Sequence, residues 1–203
     1  MSIKDAKLQF LTDEAIELFL ERSIGGVTVR DIAQHSGVGE ATVYRTFGGR
    51  GALILACALK LQARVSERFF AAGRAGHTGF ERLTALYAVF PDLLEEEPGL
   101  YRFLSEFDAF CLAEQPEGLA EYAENIDRVR EVFFSAYEAG VREGSVRPLP
   151  DPDAFYYTTT HAMLSLCKKL AAERLILPQD NCVDPVAEAR LMGEIVLSYL
   201  QNR

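Results

Sequence analysis

The residues Thr28–Phe47, TVRDIAQHSGVGEATVYRTF, decide the fold of this chain of 203 residues. Thr28, followed three residues later by Asp31, has the spacing of a capping box and predicts that a helix begins there. Gly37 lies where the chain must turn sharply, because glycine adopts positive φ at little steric cost. Val43 then fills the angle between two short helices. The pattern predicts a helix-turn-helix, the arrangement that sets a recognition helix into the DNA major groove.

The second helix of this motif leaves a short polar surface in solvent. Arg45 is the candidate for direct base reading, because its planar guanidinium matches the O6 and N7 atoms of guanine. The alternative is that Arg45 contacts phosphate only. Ala41 is a candidate contact for a thymine methyl group, whereas hydroxyl and basic side chains would fix position without reading sequence. The predicted DNA-binding residues are Thr28, Arg30, Ala41, Thr42, Tyr44, Arg45, Thr46 and Arg50.

A longer stretch around the motif, LFLERSIGGVTVRDIAQHSGVGEATVYRTFGGRGAL at 18–53, resembles the N-terminal DNA-binding region of the TetR family of bacterial transcriptional regulators. The resemblance implies a helical C-terminal part and a homodimer that pairs its last two long helices. It also implies a palindromic operator, a small effector that releases the protein from DNA, and repression. Gly39 departs from the family pattern, which usually has a capping serine there. Ser23 stands where a glycine often ends the first helix.

The net charge of −9 is unusual for a protein that binds DNA, so its distribution matters. Residues 1–50 carry six Lys or Arg and seven Asp or Glu, so most of the excess acid lies in the C-terminal part. Between residues 39 and 64 the balance is reversed, which predicts the local basic patch that phosphate contact requires. Its four cations are Arg45, Arg50, Lys60 and Arg64, against the single acid Glu40.

Apolar residues recur at helical spacing along the whole chain, and no alternating strand pattern occurs. The predicted class is all-α, with an N-terminal three-helix helix-turn-helix domain and a helical ligand-binding and dimerisation bundle. The predicted domains are 1–49, with the start of helix 4 at its end, and 50–203. Outside the motif, the predicted helices are Ile3–Arg22, Arg50–Ala72, Phe80–Glu97, Leu100–Ala113, Leu119–Gly144, Asp151–Leu177 and Asp184–Tyr199.

Predicted helix 8 carries apolar residues on two neighbouring faces, which indicates neighbours on both, and predicted helix 9 could complete a four-helix dimer contact. One neighbour is the bundle itself, and the other can be a second subunit. A two-fold dimer would present two recognition helices to the half-sites of a palindrome. The alternative is that both faces are internal core. The residues concerned are Phe155, Tyr156, Thr159, Ala162, Met163, Leu166, Cys167 and Leu170 in helix 8, and Val186, Ala189, Met192, Ile195, Val196 and Tyr199 in helix 9.

Aromatic residues are concentrated in the central part of the chain, where 16 of the 21 Phe and Tyr lie between Phe69 and Tyr157. A helical bundle rich in large flat side chains is a natural pocket for an apolar or aromatic molecule. Ordinary core packing is the competing interpretation for each residue. His161 and the tyrosine hydroxyls are the expected polar anchors. The candidate ligand residues are Phe103, Phe107, Cys111, Tyr122, Phe133, Tyr137, Tyr156, Thr160, His161 and Met163.

Other classes of protein receive little support from the sequence. No apolar run is long enough to span a membrane and no leader pattern opens the chain, so a cytoplasmic protein is expected. The four cysteines are widely spaced and read as free thiols, and no metal or cofactor motif occurs. The first alternative function is a DNA-binding dimer without small-molecule control. The remote alternative is a Cys/His hydrolase built from His161 with Cys111 or Cys167, although no nucleophile motif surrounds either cysteine.

Overall fold

The computed structural model of the chain describes residues 3–172 and 182–202. Within these residues the chain is helical, and the only extended pairing described is an isolated bridge between Val146 and Gln201. The predicted all-α class is therefore confirmed. The helices are α1 Ile3–Arg22, α2 Val29–His35, α3 Glu40–Phe47, α4 Arg50–Gly73, α5 Gly79–Glu96, α6 Pro98–Glu114, α7 Leu119–Glu143, α8 Pro152–Leu170 and α9 Pro185–Leu200.

The chain divides into two compact units. The first contains the chain up to Ala63 together with Gly99–Tyr122, so it holds α1, α2, α3, the first part of α4 and nearly all of α6. The second contains Arg64–Pro98 and the chain from Ala123 onward. The chain therefore passes between the units inside α4, at the start of α6 and near the start of α7. Helix α6 belongs to the same compact unit as the helix-turn-helix.

The first unit is organised around α1. The side chains of Leu11, Ala15 and Phe19 are completely buried, and Ile32 of α2 is also completely buried. Ser23 ends the helix with φ of 72°, a left-handed conformation that serine adopts only at a cost. Its N–H donates to the Phe19 carbonyl at 2.9 Å, as a helix-ending residue in this conformation does. Ser23 therefore performs the role that glycine usually has at this position.

The second unit has its own apolar core, formed by α5, α7, α8 and α9. Helices α8 and α9 begin at the residues that the sequence indicated. Asp151 and Asp184 each accept a hydrogen bond from the N–H three residues later, at 2.9 and 2.8 Å, and a proline follows each cap. Its buried apolar core residues are Leu83, Leu86, Tyr87, Phe133, Ala136, Tyr137, Val146, Tyr156, Met163, Val196 and Leu200.

Helix α8 is shorter than predicted. It ends at Leu170, and the N–H of the capping residue Ala171 donates to the carbonyls of Cys167 and Lys169. The predicted end at Leu177 was wrong, because the apolar pattern of the sequence continues after the helix has stopped. Residues 173–177 of that prediction lie outside the described residues.

The acidic end of α5 is paired with arginines. Glu96 accepts two hydrogen bonds from Arg68 at 2.6 and 3.0 Å, and Glu97 pairs with Arg64. On the other side, Glu95 accepts from Arg190 of α9 at 2.6 Å. The pairing with Arg68 lowers the pKa of Glu96. These carboxylates therefore connect α5 to α4 and α9.

Candidate DNA-binding surface

The helix-turn-helix begins with the predicted capping box. Asp31 N–H donates to the Thr28 hydroxyl oxygen at 3.2 Å, and the Thr28 N–H donates to the Asp31 carboxylate at 2.8 Å. The hydroxyl of Thr28 itself donates to the same carboxylate at 2.5 Å. These hydrogen bonds from Thr28 lower the pKa of Asp31. The start of α2 is thus fixed by the side chain and backbone of one residue pair.

The turn and the recognition helix also have the predicted geometry. Gly37 has φ of 67°, so the sharp turn uses the left-handed region that suits glycine. Helix α3 follows, and its Val43 side chain is only 2% exposed, which anchors the helix on the unit. Gly39 caps α3 without a side-chain hydrogen bond, as expected from the missing hydroxyl.

Four predicted contact residues are available on the outer surface. Tyr44 is 49% exposed, and Ala41, Arg45 and Arg30 are also exposed. The guanidinium of Arg45 has no ion-pair or hydrogen-bond partner among the described residues, so its donors are free for a base or a phosphate. The arrangement presents one arginine, one phenol and one methyl group on a single short helix.

Two predicted phosphate contacts have their hydroxyl protons engaged within the protein. Thr28 donates its hydroxyl proton to Asp31, and Thr46 donates its own to the Thr42 carbonyl at 2.8 Å. A hydroxyl has one proton to donate, so neither group donates to phosphate in this conformation. Thr42 is half-buried. The proposed phosphate contacts of Thr28 and Thr46 would therefore require a rotation of the hydroxyl.

Arg50 is also engaged within the protein. Its guanidinium donates to the carbonyls of Ile24 and Val27 at 2.5 and 3.1 Å, and these two residues frame the turn between α1 and α2. The sequence prediction treated Arg50 as a phosphate contact at the start of α4. The structure gives it a second role, which is to hold the α1–α2 turn.

The predicted basic patch is weaker than the sequence count suggests. Lys60 pairs with Asp13 at 2.6 Å, and Arg64 pairs with Glu97. Arg50 is bound to backbone carbonyls, so Arg45 is the member of the predicted set that stays unpaired among the described residues. Counting charges within a window missed these partners because they lie far away in the sequence.

The predicted ligand residues do not come together within one compact unit. Phe103, Phe107, Cys111 and Tyr122 lie in the first unit, where Phe103 and Phe107 form part of its core. Phe103 and Phe107 are buried and stack with ring centroids 6.0 Å apart, and Phe107 lies 5.4 Å from the Tyr122 ring. Burial, with help from Asp108, raises the pKa of Tyr122 to about 12. The rings of Phe103, Phe107 and Tyr122 therefore pack against one another.

The remaining predicted ligand residues lie in the second unit. Phe133, Tyr137, Tyr156 and Met163 are buried core residues, and the rings of Phe133 and Tyr156 are 5.0 Å apart. The Tyr137 hydroxyl accepts a hydrogen bond from the Leu149 N–H at 2.8 Å. Thr160 and His161 complete this group on α8.

His161 was predicted to be a polar anchor for the effector. It lies on the exposed side of α8, with its ring 5.8 Å from that of Tyr157, whereas Met163 two residues later faces the core. Two positions differ by about 200° around a helix, which places them on opposite faces. Thr160 donates its hydroxyl proton to the Tyr156 carbonyl at 2.7 Å. In this conformation, neither His161 nor Thr160 therefore provides a polar anchor for an effector.

Two surface clefts lie beside α7 in the second unit, with volumes of about 450 and 370 Å³. Their walls mix arginine and glutamate side chains with Phe134 in one cleft and Phe70 in the other. None of the ten predicted ligand residues lines either cleft. Among the residues that the structure describes, no group of His, Cys, Asp or Glu side chains is placed to hold a metal ion.

The hydrolase alternative gains no support from the thiols. None of the four cysteines forms a disulfide, and Cys57 and Cys167 are buried. Burial is the main cause that raises the pKa of Cys111, which is the opposite of what a nucleophilic thiol needs. Cys167 lies on the buried face of α8, while His161 lies on its exposed face. In the described part of the chain, no helix is long and apolar enough to cross a membrane.

Sequence reasoning missed the contacts that α6 makes beside the helix-turn-helix. Glu106 accepts a hydrogen bond from the Gly25 N–H at 2.7 Å, across 81 residues of sequence. Arg102 donates to the Leu20 carbonyl at 3.3 Å. No local signal in the sequence could have indicated these contacts, because both partners are ordinary helix or turn residues. They join α6 to the last turn of α1 and to the turn that precedes α2.

Comparison with known proteins agrees with the geometry. Residues 11–57 match the family described as bacterial regulatory proteins of the tetR family. A stretch of 79 residues is 37% identical to the HTH-type transcriptional regulator BetI of Brucella canis, and regulators of the same name from Brucella suis and Brucella melitensis match equally. The match covers 39% of this chain and 40% of each relative.

Solved structures share the fold over nearly the whole chain. A tetR-family regulatory protein from Rhodococcus RHA1 is 20% identical, with both chains covered completely and a TM-score of 0.70. The ketosteroid transcriptional regulator KstR2 of Mycobacterium tuberculosis is 18% identical, covers 97% of this chain and 96% of its own, and has a TM-score of 0.66. At this level of identity the likeness shows the fold alone.

The capped α2 and the exposed α3 form a helix-turn-helix, and both lie inside residues 11–57, which match the tetR family. Outside this region, the solved tetR-family structure shows that the helical fold is shared over the full length of the chain.

Proposed function

We propose that the protein is a homodimeric repressor that binds a palindromic operator and is released by a small, largely apolar or aromatic effector. The observation that carries the DNA-binding part is the free guanidinium of Arg45 on the exposed face of α3. In this proposal residues 1–49 read DNA in the cytoplasm, and residues 50–203 hold the effector and the dimer contact. No catalytic role is proposed.

The dimer is supported by an apolar stripe on the outer face of α9. Leu191, Ile195 and Tyr199 are 55%, 56% and 50% exposed and are spaced four residues apart, which places them along one side of the helix. The opposite side of α9 buries Ala189 and Val196 in the core of its own unit. A helix that is apolar on two faces has neighbours on both, so we propose that a second subunit covers the outer stripe.

The small-molecule part of the proposal rests on the family resemblance and on the aromatic content of the bundle. One structural neighbour is described as a ketosteroid transcriptional regulator, which supports an apolar effector class. The dense packing of Phe133, Tyr137 and Tyr156 instead supports the alternative, a DNA-binding dimer without small-molecule control.

A thermal unfolding screen with apolar and aromatic compounds separates these alternatives. A compound that binds the native state alone stabilises it by about 2.7 kcal/mol at one hundred times its Kd, so the melting temperature rises with concentration. A true effector also lowers the affinity for DNA. Stabilisation without any change in DNA affinity would indicate binding that is unrelated to regulation.

The DNA-binding part is tested by selecting from random double-stranded DNA with the purified protein. We expect enrichment of a palindrome, because a two-fold dimer presents two recognition helices to equivalent half-sites. The variant Arg74→Ala is the matched control for replacement of Arg45. It removes one exposed arginine from the second unit and leaves α3 intact. A pool that shows no enriched sequence would contradict the proposal.

A further inference from the structure

One face of α6 follows the C-terminal end of α1 over two helical turns. Gly99, Phe103 and Glu106 are spaced four and three residues apart, so they lie on the same side of the helix. The Phe103 ring packs against the Phe19 ring of α1 with centroids 6.0 Å apart, and both side chains are completely buried. The contact belongs to the first compact unit and includes its most buried aromatic pair.

The approach at the start of α6 is closer than a side chain permits. A Cβ atom on Gly99 would lie 2.3 Å from the Leu20 carbonyl oxygen, a distance that real Cβ contacts do not reach. The same carbonyl accepts the hydrogen bond from Arg102. Leu20 lies in the last turn of α1, where carbonyls lack partners within the helix. Helix α6 therefore supplies a partner that α1 cannot supply for itself.

The turn between α1 and α2 is held from two sides by opposite charges. The carboxylate of Glu106 accepts from the Gly25 N–H at 2.7 Å. The guanidinium of Arg50 donates to the carbonyls of Ile24 and Val27. The negative carboxylate accepts from an N–H group and the positive guanidinium donates to carbonyl oxygens. Hydrogen bonds to charged groups of this kind are stronger than hydrogen bonds between neutral groups. Thr28, the cap of α2, follows the turn directly.

From these contacts we infer that Glu106 is a positioning residue for DNA binding. It fixes the α1–α2 turn, and through that turn it sets the orientation in which α2 and α3 are presented to DNA. This inference rests on the proposed function, because it concerns the affinity for an operator. It makes α6, although remote in sequence, a working part of the DNA-reading unit.

We expect loss of the Glu106 carboxylate to weaken DNA binding, whereas simple electrostatics predicts that it strengthens DNA binding. Removing a carboxylate should favour binding to the DNA polyanion, because a repulsive charge is lost. Loss of the Gly25 hydrogen bond should disfavour binding, because the correctly oriented helix-turn-helix becomes a smaller fraction of the ensemble. If that fraction falls to about one-fifth, the apparent Kd rises about fivefold.

Three variants test the inference on the full-length protein, with the selected operator as the probe. Glu106→Ala removes the acceptor, and Glu106→Gln removes the charge but keeps an amide oxygen that can accept from Gly25. Glu114→Ala is the control, since it removes an exposed carboxylate from the end of the same helix. The readouts are operator affinity, its salt dependence, and hydrogen exchange of the Gly25 amide in the free protein.

We expect Glu106→Ala to weaken operator binding about fivefold with an unchanged salt slope, and to speed exchange of the Gly25 amide about tenfold or more. Glu106→Gln should keep most of the wild-type operator affinity and most of the wild-type protection of the Gly25 amide. Glu114→Ala should change neither the operator affinity nor the exchange of that amide. Unchanged exchange at Gly25 in Glu106→Ala would overturn the inference, as would operator affinity equal to that of Glu114→Ala. If the wild-type protein selects no operator, the proposed function fails, and Gly25 exchange still decides whether Glu106 holds the turn.

Discussion

At the scale of single residues, the sequence predicted which side chains face outward on α3 but not which of them are free. Exposure follows from helical spacing around the buried Val43, so Ala41, Tyr44 and Arg45 could be placed in advance. The engagement of Thr46 with the Thr42 carbonyl depends on a rotamer, which spacing does not determine. Arg45 therefore carries the main prediction for sequence reading.

Replacing Arg45 separates base reading from phosphate contact. If the guanidinium binds guanine O6 and N7, Arg45→Ala should lose about 1–3 kcal/mol of discrimination at one base position in each half-site. Arg45→Lys should keep the charge and still lose most of that discrimination, because the bidentate geometry is gone. Binding to operators with each base at each position measures this effect. Uniform weakening on all sequences would instead assign Arg45 to phosphate.

Removing the cap of α2 should destabilise the helix-turn-helix. Thr28→Ala deletes the hydroxyl that accepts from the Asp31 N–H, and the loss of such a cap costs about 1 kcal/mol. Thr42→Ala is a suitable comparison on the neighbouring helix, because its hydroxyl caps nothing in the structure. Denaturant unfolding of both variants measures the difference. An equal stability of the two variants would contradict the capping role.

The capping box also predicts how stability responds to acid. The pKa of Asp31 is lowered from its ordinary value of 3.8 by the hydrogen bonds from Thr28, so the ionised form is favoured in the folded state. Its stabilising contribution is therefore complete above pH 3.8 and is lost as the pH falls through the lowered folded value. The melting temperatures of wild type and Asp31→Asn should differ at neutral pH and converge in acid. A constant difference at all pH values would contradict this.

At the scale of elements, the sequence predicted most helix starts correctly and one helix end wrongly. Helix starts are marked by capping residues such as Asp151, followed by Pro152. These signals involve residues adjacent in the sequence, so they can be recognised from the sequence alone. The end of α8 at Leu170 has no glycine, and apolar residues continue after it, so periodicity alone could not locate it. The contacts of α6 with α1 were not predictable, because they join residues about eighty positions apart.

The end of α1 offers a stabilising substitution. Ser23 has positive φ, which costs a non-glycine residue about 1 kcal/mol or more, whereas glycine costs about 0.5 kcal/mol or more in chain entropy. Ser23→Gly should therefore raise the free energy of unfolding by about 0.5 kcal/mol and leave operator affinity unchanged. Urea unfolding measures the change. A loss of stability would show that the serine side chain contributes something that glycine cannot replace.

The outer stripe of α9 should control the oligomeric state. Ile195→Glu places a charge in the middle of the stripe, and we expect a dimer to become monomeric because an unpaired carboxylate would be buried at the contact. Leu112→Glu is the matched control, since Leu112 is 82% exposed on α6. Sedimentation of the two variants and the wild type gives the result. A wild-type protein that is already monomeric would contradict the proposed interface.

At the scale of the whole molecule, two compact units share three connections along the chain, inside α4, at the start of α6 and near the start of α7. The sequence separated a DNA-reading part from a helical body but assigned α6 to the body. It also overestimated the basic patch, because Lys60 and Arg64 find acidic partners that only the tertiary structure reveals. Because the chain has a net charge of −9 and one unpaired arginine on α3, we expect its DNA binding to depend more on base contacts than on general attraction to DNA.

The most direct test of sequence-specific reading is the ratio of two dissociation constants at physiological salt, one for the selected palindrome and one for a scrambled duplex of the same composition. We predict that the protein binds the palindrome at least about a thousandfold more tightly, as specific regulators do. Similar constants for both duplexes, with a steep dependence on salt, would contradict the account, because the surface would then bind phosphate without reading sequence.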